Sequence, residues 1–159
     1  MKNQLNVRLT LIFIITFSII ISGCAVKYVA DYDASVQEEI IQIAKKVDLF
    51  WGALLDMEKS KRVYEKFKDQ YNQIETDIRG LVMKHEVRAL NKESTKQSNI
   101  ALSLWIEDRN IHKEKNTFSD FEAKSHREQY TRVFTAMAKG EGIKPKENSN
   151  SNDSKGENK

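Results

Sequence analysis

Tyr64-Glu65-Lys66-Phe67-Lys68-Asp69-Gln70-Tyr71-Asn72-Gln73-Ile74-Glu75-Thr76-Asp77-Ile78-Arg79-Gly80-Leu81 carries an apolar side chain at alternating intervals of three and four residues, without a miss. A helix returns to the same face at those intervals, whereas a half-buried strand alternates at every second residue. Tyr64, Phe67, Tyr71, Ile74, Ile78 and Leu81 therefore predict one helical seam of about three heptads, long enough to pack along a partner helix. The pattern continues less regularly through Val87 to Leu90.

Upstream, Val36, Ile40, Ile43, Ala44, Val47, Phe50, Trp51 and Leu54 mark one face of an earlier helix. Ser35-Val36-Gln37-Glu38 has the form of a capping box, which places the start near Asp33 or Ser35. A break is expected between Met57 and Lys61, although no Gly or Pro enforces it.

Downstream, residues 91–94 read as a turn, with Ser94-Thr95-Lys96-Gln97 as a further cap. A third helix would align Ile100, Ala101, Leu104, Trp105, Asp108 and Ile111. Residues 116–119 form the next expected turn, and Ser119-Asp120-Phe121-Glu122 repeats the capping-box form. The last helix would bury Phe121, Tyr130, Val133, Phe134 and Met137, ending near Lys139 with Gly140 just beyond it. The expected fold is all-α: an antiparallel bundle of three or four helices over residues 34–142, with one long final helix as the alternative to two. From Ile143 to the last residue, Lys159, the chain is polar and holds the only proline, Pro145. Such a composition buries too little apolar surface to offset its ordering entropy, so residues 143–159 are expected to be disordered.

The N-terminus is of a different kind. Lys2 and Arg8 precede an uncharged run from Leu9 to Ile21, the length of a secretory apolar region and short for a membrane span. Ile21-Ser22-Gly23-Cys24 follows and contains the sole cysteine. This stretch resembles the lipobox of bacterial lipoproteins. The resemblance implies cleavage by signal peptidase II between Gly23 and Cys24, and a diacylglycerol and an N-acyl chain on Cys24. No other cofactor is expected. Two or three acyl chains on one residue make a firm anchor, since each buried methylene contributes about 0.8 kcal/mol. Ala25, rather than Asp, follows the cysteine. By the enteric sorting pattern this favours the outer membrane over the inner. Residues 24–33 would be the lipidated cysteine and a short tether, its eight residues from Ala25 to Tyr32 reaching no more than about 26 Å.

Removing 23 of the 159 residues leaves 136, the size of one domain. Losing Lys2 and Arg8 from 26 basic residues leaves 24 against 23 acidic. A balance so near neutrality argues against nucleic-acid binding, which needs a concentrated positive field. With one cysteine there is no internal disulfide, so the apolar core must hold the fold.

Catalytic signals are absent. No Gly-x-Ser-x-Gly elbow, phosphate loop or His-Glu-x-x-His motif occurs, and no pair stands out among the 23 acids as a glycosidase pair. Of the three histidines, His112 lies four residues after Asp108 and His126 four after Glu122. Each pair shares a helix face, and solvent-facing helix support explains them better than a metal. His85 stands alone. Lys61, Arg62, Lys66 and Lys68, interspersed with Glu58, Glu65 and Asp69, read as a solvated face more than as a lipid-headgroup contact.

Phe50, Trp51, Leu55 and Trp105 are the candidate docking surface, because the first stripe is wider than one seam requires. Core packing is the ordinary alternative for such aromatics. The expected function is a non-enzymatic, membrane-anchored interaction or accessory module that binds an envelope protein. The alternatives are an apolar-ligand carrier with a cavity between Trp51 and Trp105, and an exclusion or immunity lipoprotein.

Overall fold

The computed structural model describes residues 27–146. The expectations for the signal peptide, Gly23 and Cys24, and for the tail from residue 147 onward, lie outside the described residues.

Four helices form, α1 (Ala34–Leu55), α2 (Lys68–Glu86), α3 (Lys92–Lys115) and α4 (Asp120–Gly142). Two 3-10 turns, Lys59–Lys61 and Tyr64–Lys66, join α1 to α2. The helices pack in a ring: α1 touches α4 and α2, and α3 completes the circuit between α2 and α4. This is the antiparallel bundle expected from the sequence, with four members, and α3 and α4 are separate.

The apolar stripe of α1 is buried at Val36, Ile40, Ile43, Val47, Phe50, Trp51 and Leu54. Its cap is Asp33, not Ser35: Asp33 Oδ1 accepts the Ser35 amide at 2.9 Å and the Val36 amide at 3.3 Å. The seam of α2 is core throughout, but it enters the core differently from the reading above. Tyr64 sits on a 3-10 turn and Phe67 precedes the first helical residue.

Arg62 explains the tight entry. Its guanidinium donates to the carbonyl oxygens of Met57 at 2.7 and 2.9 Å, and of Phe118 at 3.1 Å. It also pairs with Asp120 at 2.6 Å. Only 3% exposed, it staples the connection between α1 and α2 onto the turn before α4. It is therefore not part of a solvated basic face.

Three further boundaries differ. The helix ends at Glu86, Val87 and Leu90 are exposed, and Leu90 adopts a left-handed φ of 59°. Ser94 lies inside α3, because buried Asn91 makes the turn, donating to the His85 carbonyl at 3.2 Å. Gly140 lies within α4, which runs on to Gly142.

The buried face of α3 is rotated from the expected one. Ser98, Ala101, Leu102, Trp105, Asp108 and His112 point inward, Ile100 is exposed, and Leu104 and Ile111 are half-buried. Between α3 and α4, Asn116 takes the left-handed conformation at φ 55°, and its Oδ1 accepts the Tyr64 amide at 2.9 Å. The Ser119 capping box is present, with Ser119 Oγ accepting the Glu122 amide and Glu122 accepting the Ser119 amide. Phe121 is exposed, and Phe118 fills the core instead.

Candidate functional site

Three of the four candidate docking residues are not on a surface. Phe50, Trp51 and Trp105 are buried, and Leu55 is half-buried against the core. The breadth of the first stripe reflects burial against two neighbouring helices. Phe50 is the hub, meeting Tyr71, Trp105, Trp51 and Phe67 edge-on at centroid distances of 4.5, 5.0, 5.2 and 5.5 Å. Such edge-to-face pairs contribute about 0.5–1.5 kcal/mol each beyond the area they bury. Trp51 and Trp105 stand 6.5 Å apart, with Phe50 and Tyr130 against both. The space expected to hold a ligand is thus filled by aromatic rings.

The histidine pairs also differ from their reading. Asp108 and His112 are buried and face different partners, so they are not solvent-facing. Asp108 accepts the Tyr130 hydroxyl at 2.8 Å, and its other oxygen lies 3.2 Å from His126 Nδ1. That second contact lacks hydrogen-bond alignment. His112 Nε2 lies 2.8 Å from the Arg62 carbonyl, which only accepts, so Nε2 carries the proton. Its Nδ1 therefore accepts from the Tyr71 hydroxyl at 3.2 Å.

Burial lowers the pKa of His112, opposed in part by the bond to the Arg62 carbonyl. Burial likewise raises Tyr71 and Tyr130, and the Asp108 charge adds to both. His85 accepts from Asn91 at 2.8 Å and is lowered first by burial, then by the nearby Lys144 charge. Glu122 turns to its cap, not to His126. The Ser119 amide and hydroxyl, with Lys115, hold its pKa down to about 2. Among the described residues no group of three or more His, Cys, Asp and Glu side chains is placed to hold a metal ion. One indole proton, on Trp51 Nε1, is buried without a partner.

The surface offers an open groove of about 680 Å³ between α1 and α4, floored by Ile41, Ala44, Phe134 and Ala138. Leu49 rises from its edge, 71% exposed. Arg127 clamps Asp48 across it through two bonds of 2.5 and 2.7 Å, which hold the Asp48 pKa low. Sequence reading missed this groove because Ile41 and Leu49 fall outside the continuous stripe of α1.

At one end of the bundle, both chain segments flanking the helices are stitched down. The Ala30 amide donates to the Leu90 carbonyl at 3.0 Å, and the Tyr32 amide to the Pro145 carbonyl at 2.8 Å. Glu141, buried at the end of α4, accepts the Asp33 amide and Arg88, both at 3.1 Å. Arg88 also donates to the Asp31 carbonyl, and Lys144 to Asn91 Oδ1 at 2.6 Å. Residues 30–33, expected as tether, and 143–145, expected as tail, are thus part of the folded unit.

No protein-family model, curated protein or solved structure matches this chain.

Proposed function

We propose that this chain is a lipid-anchored lipoprotein of the bacterial cell envelope whose helical bundle is a non-catalytic interaction module. The observation that carries the reading is Ile21-Ser22-Gly23-Cys24, with the sole cysteine at the position the lipobox requires. Two features support it. Among the described residues no helix is long and apolar enough to cross a membrane. The Asp108 carboxyl of the bundle interior is also enclosed, 4% exposed and engaged by the Tyr130 hydroxyl. Ala25 after the cysteine favours the outer membrane.

The test is incorporation of labelled palmitate in cells. The natural chain takes up label and fractionates with membranes; Cys24→Ala takes up none and accumulates uncleaved. Labelling of Cys24→Ala equal to that of the natural chain overturns the anchor.

A second reading, an apolar-ligand carrier, is favoured by the groove between α1 and α4 and not by the packed interior. A photocrosslinking residue at Leu49 separates the two. A discrete protein adduct supports the interaction module, and a lipid or small-molecule adduct supports the carrier.

A further inference from the structure

We propose that the end of the bundle where both flanking segments are stitched is a docking face for an anionic membrane surface, so that the helices stand upright on the lipid. The inference rests on the anchor at Cys24 and adds an orientation and a contact to it.

Where the chain leaves the described residues is the first argument. Cys24 precedes Lys27, the first described residue, by three positions. Ala30 is fixed to the Leu90 carbonyl, so the path from Cys24 to that point spans no more than about 20 Å. The helices, of 19 to 24 residues, run roughly 28–36 Å. The stitched end is therefore held beside the acyl chains, and the turn at Asn116 is about a helix length farther away.

The second argument is the surface itself. Val87 is 83% exposed and Ile143 85%, and Leu90, Val29 and Tyr28 are also uncovered. Hydrogen bonds between Ala30 and Leu90, Tyr32 and Pro145, and Lys144 and Asn91 bring their segments together at one end. These apolar residues flank the end of α2, the start of α1 and the end of α4, where water-facing turns are ordinarily polar.

Charge is the third. Lys92, Lys96, Lys139 and Lys146 are exposed around this end, against exposed Glu38, Glu86 and Glu93. Asp31 pairs with Lys27, and Glu141 is enclosed by Arg88 and Lys144. Apolar side chains within a rim of lysines match the boundary between headgroups and acyl chains, where basic residues are drawn to anionic lipid.

The test uses the full lipidated chain in vesicles of phosphatidylcholine with a quarter phosphatidylglycerol. Because lipid would block Cys24, each of Val87→Cys, Ile143→Cys, Leu49→Cys and Phe121→Cys carries one free thiol for an environment-sensitive fluorophore. Nitroxide-bearing lipid should quench positions 87 and 143 several-fold more strongly than 49 and 121. Replacing Lys92 and Lys96 by Gln should lower the docked population by about fivefold per charge removed. Equal quenching at all four positions, or stronger quenching at 49 or 121, overturns the upright docking while leaving the anchor standing. Failure of the protein to float with the vesicles instead removes the anchor, and the proposal with it.

Discussion

His112 carries its proton on Nε2 toward the Arg62 carbonyl and accepts the Tyr71 hydroxyl on Nδ1, so a second proton would displace that hydroxyl hydrogen. His85 is held the same way, with Asn91 donating to its Nδ1. Both rings are buried, and burial lowers both pKa values below the ordinary 6.5. The unfolded chain therefore binds more protons than the folded one once pH falls below about 6.5, and stability is lost as pH drops from there through the folded values. The slope approaches at most about 1.4 kcal/mol per pH unit for each histidine. Urea midpoints should thus fall between pH 7.5 and pH 5.5, before Asp33, Asp48 and Glu122, whose pKa values are depressed, begin to protonate. An unchanged midpoint over that interval would refute the assignment of neutral buried imidazoles. Sequence spacing put His112 on a helix face beside Asp108, and although Asp108 falls on the apolar stripe of the third helix, the polar character of the pair pointed to solvent. A polar residue enters a core only when partners on other helices satisfy it, and those partners are remote in sequence.

Each element was legible to the extent that its own apolar spacing decided its face. The stripes of α1 and α2 are strongly periodic, and both are buried as read. α3 is the weak case, because Asp108 and His112 supply much of its inward face and Ile100 lies outside it. At the start of α4, Phe118 before the Ser119 capping box fills the core, and Phe121 just after it faces outward. Two substitutions test this division. Ile74→Asp buries an unpaired carboxylate in α2 and should cost more than about 4 kcal/mol, abolishing cooperative unfolding. Phe121→Asp, on a residue 78% exposed, should change stability by no more than about 0.5 kcal/mol. Denaturant titration with circular dichroism reads both. A tolerated Ile74→Asp would move the α2 seam to the surface.

For the molecule as a whole, the least legible feature is the joining of the two segments that flank the bundle. Nothing in the local pattern of residues 30–33 or 143–145 announces hydrogen bonding, since each segment is irregular and pairs with backbone far away in sequence. Glu141 is the keystone, taking the Asp33 amide, Arg88 and Lys144 at once. Glu141→Ala leaves two half-buried cations without their carboxylate and should destabilise the fold by about 3 kcal/mol. Hydrogen exchange should show faster loss at the Ala30 and Tyr32 amides than in the middle of α2. Uniform acceleration across all four helices would mean that the stitching has no local role.

That clasp also decides how the fold bears load. A pull transmitted from residue 27 reaches the contacts of residues 30–33 with Leu90, Glu141 and Pro145 before it reaches the first turn of α1. The strain is shared among the α2–α3 turn, the end of α4 and the start of α1, so no single helix is peeled from its end. A domain tugged through its leading segment would yield by releasing this knot of contacts first, with the aromatic interior still closed.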